Sequence, residues 1–280
     1  MTLRKSAVVL SMLLLCVLWV TPAQSRPSSP VDSCAGPSAL LTVLDRPTIS
    51  DSVCSVKKNN VLAELGYDYQ VETGTHFGTL QTLPQLELRY GAGDNVELKL
   101  FPPNYLLQST FAAGKTGSLD GFGDAGLGMK YEFRYGERWG IATDTAITIP
   151  SGSKGFTGKG TGVILNGIVA YNLNADIGIG FQLGVYRLFN PAYAGQETTV
   201  NPIIVVSDQL NEITENLQLY AECYNAIDVQ HNTGIASYID SGVQYLLLPN
   251  VEVDFEAGHN LSDLSSDAVT YIGFGTGLEF

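Results

Sequence analysis

Between Val61 and Phe280 apolar and polar positions alternate with a period of two. Leu65, Tyr67, Tyr69 and Val71 fall on one side of an extended chain, while Gly66, Asp68, Gln70 and Glu72 fall on the other. The same dyad sets Leu98 and Leu100 against Glu97 and Lys99, and Ile179, Phe181 and Leu183 against Gly178, Gly180 and Gln182. An extended strand points successive side chains to opposite faces, so each run reads as a strand with one apolar and one polar or glycine face. Twelve strands are predicted, at 61–74, 84–91, 94–102, 121–135, 138–149, 162–172, 175–187, 198–208, 212–224, 234–247, 250–259 and 269–280. The eighth is the least regular, because Pro202 interrupts it and a proline cannot donate to a ladder.

The connections alternate as well. Short turns at 91–95, 136–137, 173–174, 209–211 and 249–250 are interleaved with longer polar segments at 75–83, 103–120, 150–161, 188–197, 225–233 and 260–268. Short turns on one side and long loops on the other, with an even strand count, are the pattern of an outer-membrane β-barrel whose termini are both periplasmic. Strands of ten to twelve residues, tilted by about 40°, span roughly the 25 Å apolar band. Tyr90, Tyr135, Trp139, Tyr171 and Tyr245 gather at the predicted periplasmic strand ends, where an interfacial girdle belongs. The last strand closes on Phe280, a terminal aromatic of the kind outer-membrane assembly machinery would receive. The expected fold class is therefore all-β, a transmembrane antiparallel barrel of about 12 strands in contact with outer-membrane lipid. A soluble β-sandwich is the alternative, and it would bury one face of each sheet.

Composition adds direction to this picture. The formal net charge is -13, from 15 Lys+Arg and 28 Asp+Glu, and no basic stripe exists, so nucleic-acid binding is excluded on electrostatic grounds. Arg4 and Lys5, an apolar run from Ala7 to Val20, and Ala23-Gln24-Ser25 form a secretory signal at residues 1–25, with Arg26 as the expected mature start. The run is shorter than the roughly 20 residues of a spanning helix. Removing the signal takes away two bases and no acids, so the charge becomes -15.

Residues 26–60 lack the strand pattern and precede the barrel region 61–280. This part either plugs the periplasmic mouth or trails as a periplasmic extension. Export to an oxidising compartment favours a disulfide between Cys34 and Cys54, worth roughly 3 kcal/mol for a loop of about twenty residues. Cys223 has no His or Cys at metal-ligand spacing, so no metal site or cofactor is expected.

With apolar faces toward lipid, the lumen receives Glu64, Asp68, Glu72, Glu87, Glu97, Asp124, Glu132, Asp144, Asp176, Glu222, Asp240, Glu252, Asp254 and Glu256. Its bases are Arg89, Lys99, Lys130 and Arg134, all on the second to fourth strands, where Glu87, Glu97 and Glu132 can pair with them. Such a lumen disfavours anions, or its acids simply keep a wet channel hydrated. Inward glycines such as Gly66, Gly178, Gly180, Gly275 and Gly277 either leave room inside or permit the curvature of closure.

Pro84-x-Leu86-x-Leu88-Arg89-Tyr90-Gly91 leads into Asp94-Asn95-Val96-Glu97-Leu98, then Gly121-Phe122-Gly123-Asp124-x-Gly126-Leu127-Gly128-x-Lys130-Tyr131, then Ile149-Pro150-Ser151-Gly152. This order resembles the outer-membrane transporter family named for the MetA pathway of phenol degradation, over most of 61–280, with Leu44-Asp45-Arg46-Pro47-Thr48 outside the resemblance. The resemblance implies a barrel that passes small solutes, often hydrophobic or aromatic, and it carries over no functional residues. Catalytic readings fail on spacing. His259 has Ser262 three positions away, where a barrel phospholipase needs a Ser two away, and Gly158-Lys159 lacks the Walker pattern. No enzyme is expected. The expected function is passive passage of small solutes, with a non-transporting structural or surface-interaction protein as the alternative.

Overall fold

The computed structural model describes residues 34–280 except 74–76, 113–114, 136–137, 159, 191–194, 231–234 and 262–267. The secretory signal and residues 26–33 lie outside the described residues. Fourteen strand segments follow a short helix: α1 (Ala39–Val43), β1 (Val61–Thr73), β2 (Phe77–Gly91), β3 (Val96–Phe101), β4 (Tyr105–Ala112), β5 (Lys115–Phe122), β6 (Ala125–Tyr135) and β7 (Trp139–Ile149). The second half holds β8 (Gly162–Asn172), β9 (Ile177–Asn190), β10 (Gly195–Gln209), β11 (Leu217–Asp228), β12 (Ile235–Leu248), β13 (Val251–Asn260) and β14 (Ala268–Glu279).

They make twelve crossings. β2 pairs with β3 near one end, Arg89 opposite Lys99, and with β4 near the other, Gly78 opposite Thr110, so β3 and β4 run as one broken strand. β5 and β6 are broken in the same way, opposite β4 and β3. The barrel closes where β1 pairs with both β14 and β2, with Gly66 opposite Gly275 and Gln85. All these ladders are antiparallel.

The sequence pattern missed some lengths for identifiable reasons. The expected loop 103–120 is largely the β4–β5 hairpin, hidden because Pro102-Pro103 reads as a break and Leu106-Leu107 ends the alternation. The expected loop 75–83 contains the first half of β2. The turn after β10 is longer than expected, with β11 beginning only at Leu217. Pro202 does not interrupt β10, which stays in register with β9. It sits where the ladder to β11 skips from Val200 to Ile203, at a point that needs no donor from it.

The barrel is apolar outside and polar inside. Leu98, Leu127, Phe181, Phe255 and Phe274 are exposed on the outer face, whereas Arg89, Glu97, Lys130, Gln182 and Glu252 are fully buried on the inner one. At the short-turn end Trp139 packs on Tyr171 at 4.5 Å between ring centroids, and Tyr90 and Tyr245 also face outward. Residues 34–60 run back into the lumen at this end. Leu40, Leu41, Leu44, Val53 and Val56 form an apolar cluster with the wall residues Leu62, Ala142, Ile168 and Leu246. The Cys34–Cys54 disulfide closes the loop that carries α1 and the charged stretch after it.

Candidate functional site

The lumen and its inner segment form the candidate site. Asp45 and Arg46 stand at its centre, and sequence reasoning assigned neither a role, because a segment without periodicity gives no face to read. The available signal was a charged pair, Asp45-Arg46, directly after the largely apolar run from Ala39 to Leu44 and between two cysteines.

Asp45 points toward β2, β3 and β6. Its carboxylate accepts from the Lys99 ammonium at 2.7 Å and the Lys130 ammonium at 2.8 Å, and Arg89 lies 3.3 Å away. Arg89 is also held by Glu64 at 2.6 Å and by Glu97 at 2.7 Å. Lys99 meets Asp144 at 2.6 Å and Glu87 at 3.2 Å. Burial alone raises the Asp45 carboxyl, but Arg89, Lys130 and Lys99 more than reverse this and hold it well below the usual carboxylate range. Asp45, Asp51 and Asp144 bring carboxylate oxygens within 4.8 Å of one another, the spacing of a cation site. The Lys99 ammonium stands among them, at 2.7, 3.6 and 2.6 Å respectively.

Arg46 points to the adjoining sector of the wall, toward β13, β14, β1 and the Gln85 position of β2. Its guanidinium donates to Asp254 at 3.0 Å and to Gln85 at 2.5 Å, and lies 3.7 Å from Glu256. Burial works against its charge, and Asp254, ahead of Glu256 and Glu64, raises its pKa nonetheless. Gly66 and Gly275 make room for it, since a side chain at either position would overlap the guanidinium. The inward glycines here accommodate the inner segment rather than enlarge an empty lumen: Gly277 faces Leu44 and Gly140 faces Val53 in the same way.

The wall acids have a use that the sequence did not suggest. They accept the backbone N–H groups of a segment that has no ladder of its own. Glu64 takes those of Asp45 and Arg46, Glu222 those of Ile49 and Ser50, Glu132 that of Ser55 and Glu97 that of Val56. Gln182 accepts from the Asp51 N–H at 2.8 Å, and Asn166 donates to the Asp51 carboxylate at 2.6 Å.

The remaining sequence-assigned residues divide. Asp240 is buried and accepts from the Tyr271 hydroxyl at 2.6 Å, beside the stacked pair Tyr224 and Tyr238. Glu252 is fully buried on β13. Asp68 and Glu72 are half-buried on β1. Asp124 does not line the lumen interior. It sits at the β5–β6 break, where alternation stops, and accepts from Ser151 and Gly152 N–H at 2.9 Å and from Thr157, fastening the loop after β7. Asp176 lies in the β8–β9 turn and accepts from Asn211 at 2.7 Å. The Arg134 side chain is outside the described residues. His259 faces outward and bonds Thr270 at 2.8 Å.

A closed twelve-crossing barrel, apolar outside and charged inside, has the fold of an outer-membrane β-barrel. It is similar to the transport unit of the autotransporter AIDA-I from Escherichia coli, at 10% identity over 99% of this chain and 98% of that chain, with a TM-score of 0.55. It is also similar to the NanC porin, at 10% identity over 76% of this chain and 98% of that chain, with a TM-score of 0.50. At such identities the likeness concerns the fold alone. The chain belongs to the family described as MetA-pathway of phenol degradation, whose model matches residues 44–278. The match begins at Leu44, so the Leu44–Thr48 stretch, expected to lie outside the resemblance, falls within it. No curated protein matches the chain.

Proposed function

We propose that the protein is an outer-membrane channel for passive passage of small solutes, and that residues 26–60 act as a plug seated in its periplasmic mouth. The observation that carries this reading is the way residues 34–60 are held. Buried ion pairs and accepted N–H groups fasten them to the wall, yet they do not fill the lumen, because a cavity of about 110 Å³ remains between them and the wall. Glu222, Asp240, Glu252, Asp254 and Glu256 are buried on β11 to β13, and among the described residues the base paired with this group is Arg46, at Asp254 and Glu256, which supports passage of cations and neutral solutes over anions. The family's description supports a small, hydrophobic or aromatic solute. Phe280, exposed and tied through its backbone to Val61, is offered to the assembly machinery in this reading.

The test is a planar-bilayer recording of the full mature chain in a KCl gradient, beside a variant lacking residues 26–60. A cation-selective reversal potential and a larger conductance without the segment are expected. No conductance from either protein and no solute flux into liposomes would leave a structural role instead, and anion preference would remove the lumen argument.

A further inference from the structure

The inner segment is held by ion pairs on some sides and only by neutral contacts, such as those of Gln182 and Asn166 with Asp51, on others. Toward β2, β3, β6 and β13 it is held by ion pairs: Asp45 to Lys99 and Lys130, Arg46 to Asp254. Toward β8, β9 and β10 it faces a cavity of about 110 Å³. The wall of this cavity carries no charged side chain; Ile168 and Ala170 on β8, Gly178 and Gly180 on β9, and Val205 and Ser207 on β10 make its middle, and neutral side chains of β11 and β12 complete it. The cross-strand partners Gly180 and Val205, and Gly178 and Ser207, lie directly opposite each other. Each glycine leaves its inner face to the side chain of its neighbour, so the wall is thin there. Asn172, Gly178, Ser207 and Gln218 also line the cavity, and all lie at strand ends beside the short turns, on the periplasmic side. The charged groups that the segment itself contributes are Arg46 and Asp51, and both are already engaged, with Asp254 and Gln85, and with Asn166.

We infer that solute passes the seated segment through this crevice between residues 41–53 and the β8–β10 wall, and that the crevice selects small neutral, largely apolar molecules of monoaromatic size. The inference rests on the channel reading and adds to it a route and the residues that set its width. Its size is of the right order, since an apolar cavity of roughly 150 Å³ takes up one benzene. Its chemistry fits as well: a charged solute would give up hydration against a wall that offers no counter-charge. The ion-paired sides could admit solute only by breaking buried pairs, whereas this side requires displacement of no salt bridge.

The experiment compares the full mature protein with Ala170→Phe and Ser207→Phe, which fill the crevice from two strands, and with Val205→Ala, which widens it. Each is first checked for the folded barrel by heat-modifiable migration on gels. Liposome swelling is then measured with phloroglucinol, a neutral monoaromatic polar enough to cross bare lipid slowly. Swelling for the two Phe variants is expected to fall at least about tenfold, and for Val205→Ala to rise about twofold, because a benzyl group is close to the size of the cavity. If wild-type liposomes swell and all three variants swell at the wild-type rate, the route lies elsewhere and the inference is overturned while the channel stands. If wild-type protein gives neither swelling nor conductance, the channel reading fails and takes the inference with it. Should a Phe variant not fold, Val205→Ala decides alone, and an unchanged rate counts against the crevice.

Discussion

Asp45 and Arg46 are neighbours in the chain with opposite charges, and they anchor to adjoining sectors of the barrel wall by different physics. The Asp45 side joins one carboxylate to three fixed cations, Arg89, Lys99 and Lys130, each of which also meets wall acids or lies beside them. The Arg46 side sets one guanidinium among several acids, of which Asp254 and Glu256 are close. Arginine keeps its charge throughout the working pH range, and Lys99 keeps Glu87 and Asp144 beside it, whereas carboxylates can gain a proton. Loss of the Asp45 carboxylate therefore leaves cations that have no escape, whereas loss of Arg46 leaves acids that can neutralise. The inner segment is thus held rigidly at Asp45 and adjustably at Arg46.

The largest effect is expected for Asp45→Asn. Removing one partner of a buried charge cluster costs about 3–5 kcal/mol. The readout is hydrogen exchange of the backbone N–H groups of Ser55 and Val56, which are bonded to Glu132 and Glu97. The loss should persist on acidification, since protonating the surrounding acids only removes further counter-charge from Arg89, Lys99 and Lys130. In the wild type, the Asp45 pKa is lowered from an ordinary 3.8, so its contribution is fully present above that value and erodes only at lower pH. Protection that survives the Asn variant would dissolve the distinction between the two sides.

Reduction of the Cys34–Cys54 disulfide acts on both sides together, because its loop contains Asp45 and Arg46 alike. The chain-entropy model gives roughly 3 kcal/mol for a loop of this length. Paired substitution of the cysteines by Ser should raise exchange toward both walls in parallel. A loss confined to one wall would show that the loop is not a single unit.

Arg46→Gln comes third, at about 2 kcal/mol near neutral pH, below the Asp45 value because Asp254 and Glu256 can take up protons instead. Its signature is recovery: exchange at the Ile49 and Ser50 N–H groups should fall back toward wild type as pH drops from about 8 to about 5. A penalty independent of pH would place the Arg46 side in the same category as the Asp45 side.

The wall of this comparison was legible in the sequence, and its filling was not. A period of two identifies Glu97 and Lys99 as companions on one face, and Leu98 between them as lipid-facing, because strand geometry converts spacing into direction. That logic gave the barrel, its short-turn end and the cluster of bases on three strands. It could not place Asp124, where the alternation stops, or recover β4 and β5 behind Pro102-Pro103. It failed for residues 34–60, where direction is set by contacts with many wall strands rather than by local repetition. The acids of Glu64, Glu132 and Glu222 looked like free lumen charge for the same reason. Their partners are backbone N–H groups, which carry no trace in a side-chain pattern.

The smallest effect sharpens the boundary between the two sides. Asp51 lies 3.6 Å from Lys99 and is half-buried, and the water it has lost, with Asp144 and Asp45 beside it, raises its pKa to about 6 against the pull of Lys99. For an acid raised in the folded state, the stabilising contribution is full below its ordinary 3.8 and is lost as pH rises through about 6. Asp51→Asn should therefore cost under about 1 kcal/mol at neutral pH, or stabilise slightly, while keeping the Asn166 contact as an amide pair. In the wild type, exchange of the Asp51 N–H, bonded to Gln182, should quicken between about pH 4 and pH 6, and in the variant that step should vanish. A loss as large as that of Asp45→Asn would mean that Asp51 is ionised and belongs to the fixed side; a flattened profile leaves it an acid at Lys99 that behaves like those around Arg46.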